Sequence, residues 1–171
     1  KAYPRVTFSL SIKGVVEMNY RIEQKNSFTV VGVKQRFSHI DGLLGENIGK
    51  MWSETPQETI SQIAGLGNGL VGVYSGMYED NTTDYYIAAI TEKDSPKTLC
   101  KLEIPSLTWA IFEIIGPMPT AMAEIWGRIF SEWFPTSGYE HAEAPEVEWY
   151  SNGDLSSPDY KSEIWIPVIK K

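Results

Sequence analysis

Glu146-Val147-Glu148-Trp149-Tyr150, a turn through Ser151-Asn152-Gly153-Asp154, and Glu163-Ile164-Trp165-Ile166-Pro167-Val168 read as two antiparallel strands. Successive side chains of a strand point to opposite faces of its sheet. Glu146, Glu148 and Tyr150 therefore share one face, with Val147 and Trp149 opposite. In the second strand Ile164, Ile166 and Val168 form an aliphatic face suited to a helix. Glu163, Trp165 and Pro167 occupy the other, which places an acid beside a tryptophan.

The helix to cover that aliphatic face lies just upstream. Met122, Ile125, Trp126, Ile129, Phe130 and Trp133 recur at helical spacing and make one apolar stripe over Pro119–Trp133. Pro119 suits the first turn, Glu124 and Arg128 are spaced as an i, i+4 pair, and Pro135 with Gly138 should stop the helix. Before it, Ser106–Ile115 reads as a strand with Trp109, Ile111 and Glu113 on one face. The order strand, helix, strand, turn, strand recurs in the first half. Ser27–Phe37 is a strand, Leu43–Ala64 is helical, and Leu70–Tyr74 and Tyr85–Ile90 are strands about an acidic turn. The helical part is broken at Thr55-Pro56-Gln57-Glu58, which has the form of a capping box, and Gly65, Gly67 and Gly69 end it. Val73-Tyr74 echoes Trp149-Tyr150. A β-α-β-β unit used twice accounts for the pattern, with halves at 14–95 and 96–171. Val6–Leu10 and Met18–Ile22 are further strand candidates.

Composition sets outer bounds. The chain has 171 residues, 42% hydrophobic and 22% charged, enough for one globular domain with its own core. One cysteine, Cys100, makes an internal disulfide framework impossible, and two histidines, His39 and His141, show no metal-ligand spacing. No stretch approaches a membrane span and no signal peptide is visible. The location expected is the cytoplasm. The net charge of −7 is uneven: residues 1–50 carry eight bases against four acids, and the remainder is strongly acidic. Such a surface repels phosphate backbones and draws cations.

Catalytic motifs are scarce. There is no Gly-x-Ser-x-Gly elbow, and Gly65-Leu66-Gly67-Asn68-Gly69 lacks both a dinucleotide fingerprint and a P-loop lysine. No catalytic residue, metal or cofactor is expected. Three glutamates, Glu113, Glu148 and Glu163, sit inside strands. Glu163 is the strongest candidate, because a carboxylate among aromatic rings attracts a desolvated cation. Tyr20, Tyr74, Tyr86, Trp109, Tyr150 and Trp165 are the aromatic residues whose strands are expected to line a pocket. They offer flat apolar faces, some with a polar handle.

Trp133-Phe134-Pro135-Thr136-Ser137-Gly138-Tyr139-Glu140, Pro145-Glu146-Val147-Glu148-Trp149-Tyr150 and Glu163-Ile164-Trp165-Ile166-Pro167-Val168 together resemble the GyrI-like effector-binding domains of AraC-family regulators. Gly14-Val15-Val16-Glu17-Met18-Asn19-Tyr20-Arg21-Ile22 and Phe28-Thr29-Val30-Val31-Gly32-Val33 look like the entry to the same domain. The resemblance implies an α+β fold: two fused β-α-β-β units about a pseudo-two-fold axis, antiparallel sheets, helices on one face and a ligand cleft between the units. It implies that residues 14–171 are the effector domain and residues 1–13 the remnant of a linker from a DNA-binding domain absent from this chain. By position, Glu163 corresponds to the family's cation-binding acid. The function so implied is ligand sensing in a transcription regulator, with a lipophilic or cationic effector in an aromatic cleft. DNA would be contacted only through the absent domain, no membrane is involved, and a homodimer is compatible with the reading. Two alternatives remain. One is a stand-alone GyrI-like hydrolase of electrophilic small molecules, with Glu163 as base and a tyrosine assisting. The other is an acidic domain that binds a basic protein.

Overall fold

Two strands with only Asn26 and Ser27 between them, β1 (Tyr20–Lys25) and β2 (Phe28–Ser38), stand near opposite ends of one sheet. A computed structural model describes residues 17–171. The expected strand Val6–Leu10 and the linker 1–13 lie outside the described residues. After β2 come α1 (Leu44–Glu54), α2 (Gln57–Ala64), β3 (Leu70–Tyr74), β4 (Thr82–Ile90), β5 (Cys100–Ile104) and β6 (Leu107–Ile115). Then follow α3 (Thr120–Arg128), a π-helical turn at Ile129–Trp133, α4 (Phe134–Thr136), β7 (Tyr139–His141), β8 (Glu146–Tyr150) and β9 (Lys161–Lys170). The strands form an antiparallel sheet in the order β1-β6-β9-β8-β3-β4-β2-β5, and β7 pairs with β9.

That order has a pseudo-two-fold axis between β3 and β8. Strands β2, β3 and β4 of the first unit match β6, β8 and β9 of the second. The leading strands are exchanged: β1 pairs with β6 of the second unit, and β5 pairs with β2 of the first. A two-residue link can join the two ends of such a sheet only if the sheet curls strongly. Ser27 N donates to Ser106 Oγ at 2.9 Å, which ties the β1–β2 and β5–β6 turns together. Phe28 at the start of β2 lies 6.2 Å from the rings of both Trp109 and Trp165.

The curled sheet has two apolar faces. Its concave face holds Val30, Val71, Val73, Tyr86, Ala88, Ile104, Trp109, Ile111, Val147 and Trp165 in one core. The convex face carries all the helices. Val31, Tyr85 and Ile87 pack under α1 and α2, and Ala110, Phe112, Ile164 and Ile166 pack under α3 and the π turn. Period-two alternation thus feeds different cores from the same strands.

Two local expectations are corrected. Thr55 does not cap α2: its Oγ1 donates back to Met51 O at 2.6 Å and closes α1, while Pro56 takes the N-cap position with no side-chain bond. Pro135 does not stop the second helix. Phe134 N bonds to Ile129 O, a span of five residues, and Pro135 sits in the first turn of α4, where its missing N–H costs little. Gly138 at φ +73° ends the run. Among the described residues no helix is long and apolar enough to cross a membrane.

Candidate functional site

The two helix layers leave a gap over the middle of the convex face, where β3 and β8 pair. Register sets Gly72 opposite Glu148, Leu70 opposite Tyr150 and Tyr74 opposite Glu146. About the pseudo-two-fold axis, Tyr74 and Tyr150 are equivalent, and so are Gly72 and Glu148. The carboxylate therefore stands on the axis between a matched pair of tyrosines. Gly72 is what lets them meet. A Cβ there would collide with the Tyr85 hydroxyl and come within 2.9 Å of Glu148 Oε2.

Glu148 is 5% exposed and receives four donors. Trp126 Nε1 at 2.9 Å and the Tyr74 hydroxyl at 3.4 Å donate to Oε1. The Tyr150 hydroxyl at 2.7 Å and the Tyr85 hydroxyl at 3.0 Å donate to Oε2. Trp52 Nε1 in turn donates to Tyr85 Oη at 3.0 Å. Burial pushes the Glu148 carboxyl above the usual carboxylate range, and the four donors pull it partly back. Burial, and then the Glu148 charge, hold the hydroxyls of Tyr74, Tyr85 and Tyr150 above the ordinary tyrosine value, so they stay protonated donors.

A cavity of about 620 Å³ opens beside this cluster. Helix α1 supplies Gly45, Ile48, Gly49 and Trp52, and α3 supplies Met122, Ala123 and Trp126. Met118, Pro119, Leu155 and Tyr160 also line it. The rings stand edge to face: Trp52 on Tyr150 with centroids 5.3 Å apart, and Tyr74 on Trp126 at 5.9 Å. No lysine or arginine is among the lining residues. A buried acid with apolar, π-rich walls and no resident cation is a fit for a bulky organic cation. Among the described residues no cluster of three metal-capable side chains occurs.

Of the candidates read from sequence, Glu148, Tyr74 and Tyr150 come together in this cleft. The others lie elsewhere. Glu163 pairs with Trp149 and Glu113 in register and so faces away from the cleft. Its oxygens take Trp165 Nε1 at 2.6 Å and Arg21 Nη1 at 3.1 Å, and Arg21 also reaches Glu113 and Glu23. Its charge is met inside the protein. Trp109, Trp165 and Tyr86 fill the concave core. Tyr20 lies at the sheet edge, 45% exposed, against Phe112 and Trp133. Three cleft residues have no counterpart among the sequence candidates: Tyr85, Trp126 and Trp52. Both tryptophans belong to apolar helix stripes, where packing is the default reading. Alternation from Ile87 and Ala89 places Tyr85 on the helix side, and that is the one signal that could have found it.

Comparison with known proteins bears on the family and the fold. A family model described as the GyrI-like small molecule binding domain matches residues 18–169. A protein of Erwinia billingiae named DNA gyrase inhibitor is 42% identical over 67 residues, which span 39% of this chain and 43% of that protein. The structure of SAV2435 bound to tetraphenylphosphonium superposes with a TM-score of 0.80 at 25% identity, covering 89% of this chain and 94% of that one. A putative bacterial transcription regulation protein from Staphylococcus aureus MU50 gives 0.73 at 27%, covering 89% and 99%. The C-terminal domain of EcmrR shares the fold at 16% identity, with a TM-score of 0.62 and coverage of 91% and 100%.

Proposed function

We propose, for a chain that belongs to the GyrI-like small-molecule binding domain family, that the cleft takes a lipophilic organic cation at Glu148 and that its occupancy is sensed by a transcription regulator. The observation that carries the reading is Glu148 itself. It is a buried carboxylate held by four neutral donors, between aromatic walls, with no lysine or arginine in the lining. An ionised acid in such a place is costly until a cation shares it. The cavity suits a drug-sized molecule, and flat rings at right angles suit a ligand with several phenyl groups. The tetraphenylphosphonium held by SAV2435 is a ligand of this kind.

Binding is favoured over hydrolysis. Four donors already occupy the lone pairs of Glu148, so a general-base role would require a tyrosine or tryptophan to be displaced before water could be activated.

Calorimetry with tetraphenylphosphonium and neutral triphenylphosphine oxide tests the site. The cation should bind and the oxide should not, and Glu148→Gln should weaken the cation by about tenfold or more. Glu163→Gln should leave affinity within about threefold, because that acid is already paired. Equal binding to wild type and Glu148→Gln would sink the reading. For the regulatory half, the full natural protein should change its affinity for its own promoter DNA when saturated with the cation. Unchanged affinity removes that half and leaves the binding half standing.

A further inference from the structure

A second cavity, of about 880 Å³, adjoins the first. It shares Tyr74 and Trp126 with the Glu148 cleft, so those two rings form a partition between compartments. Both ends of the partition donate to the same oxygen, Glu148 Oε1. The wall of the second compartment is thus tied to the carboxylate of the first.

Three features give the second compartment its chemistry. Glu146 lines it and lies on the same face of β8 as Glu148, two residues and about 7 Å away along the strand. Its Oε1 meets His141 Nε2 at 2.6 Å and its Oε2 is left for a ligand, whereas both oxygens of Glu163 are taken. Phe130 stacks between Trp126, at 9° and 6.2 Å, and His141, at 24° and 6.5 Å, and its own ring is half exposed. Thr83, 1% exposed, also lines the compartment, and its hydroxyl has no partner. With Glu143, an exposed second acid of the lining, these give the space carboxylates, a flat π platform and a spare hydroxyl on the far side of the partition.

We propose that the two compartments form one site and that its ligand class is the aromatic dication. A ring cation sits among the aromatic walls at Glu148, and a second cationic group at Glu146. The proposal rests on the reading of Glu148 as a cation site and adds to it a second charge at a set spacing. Carboxylates at i and i+2 of a strand select for charge separation, which a general acidic surface does not.

Ethidium and propidium provide a matched pair. They share one phenanthridinium ring, and propidium adds a quaternary ammonium on a propyl tether. Fluorescence titration at fixed ionic strength should show propidium binding about tenfold more tightly than ethidium. Glu146→Gln should bring the two within about threefold while leaving ethidium unchanged. Glu103→Gln, which removes an exposed charge on β5, should preserve the advantage. Glu148→Gln should weaken both dyes. If Glu146→Gln lowers the melting temperature appreciably, Phe130→Ala provides an independent variant: it removes the exposed ring of the same compartment and should trim the same advantage. Equal affinities in the wild type, an advantage that survives Glu146→Gln, or one lost equally in Glu103→Gln would overturn the proposal and leave the Glu148 site intact. Ethidium binding that ignores Glu148→Gln, or no binding of either dye, overturns the cation reading and this proposal with it.

Discussion

Glu148 and Glu163 show how two glutamates fifteen residues apart in sequence reach opposite electrostatic situations. Glu163 meets Arg21, which reaches it from the edge strand β1; Glu148 meets only neutral donors in the interior. Because burial raises the folded-state pKa of Glu148, its stabilising contribution is present at low pH and lost as pH rises through the raised value. Asp84 has the opposite sign. The Arg36 guanidinium at 2.8 Å holds its carboxyl below the usual range, so its contribution is lost as pH falls through the lowered value. Glu148→Gln should therefore flatten the decline in stability on the alkaline side of the usual carboxylate range, measured as melting temperature against pH without ligand. Affinity for tetraphenylphosphonium should run the other way and rise over the same range, since only the ionised acid attracts it. A second residue-scale prediction concerns Gly72. Gly72→Ala should push the Tyr85 hydroxyl off Glu148 and cost about 1–3 kcal/mol, read by urea unfolding. An unchanged midpoint would show that the close packing can relax.

Helix α1 carries Gly45 and Gly49 on the side that lines the cleft, and a Cβ at either would meet nothing within 4 Å. Glycine inside a helix costs stability, so the open space beside it is obtained at the helix's expense. Gly49→Ala should raise stability by about 0.5–1 kcal/mol. Gly49→Leu should fill the cavity and abolish cation binding while the melting temperature holds; retained binding would place the ligand elsewhere. Strands β3 and β8 were legible residue for residue, because each is a short alternating run bounded by turn residues. Their helices were legible from apolar stripes. What was hidden was register. Ten residues separate β8 from β9, and pattern alone cannot say whether Glu148 or Trp149 stands beside Glu163. The sequence places Glu148 with Tyr150 and Glu163 with Trp165 correctly, but only pairing shows that these faces are opposite. Strand β7, three residues long, is too short to leave a pattern, β5 is as long as β3 but is not among the strands expected, and the π turn leaves no period distinct from a helix.

Across the whole molecule, exchange of β1 and β5 locks the halves into one unit, with Trp109 at the centre of the concave core. Unfolding should follow one cooperative transition, with tryptophan fluorescence and far-ultraviolet dichroism coinciding along a urea gradient. Trp109→Ala should shift that transition by about 3–5 kcal/mol, with cation affinity unchanged under conditions where the protein stays folded. Two separate midpoints would show that the halves melt alone. The same symmetry sets what can stand on the axis. Two identical chains meeting about a true two-fold axis must present the same residue at it. They would face two glutamates, whose charges repel, or two glycines, which offer a ligand nothing. In a single polypeptide the two halves can differ at that point, which makes a lone acid opposite a glycine attainable.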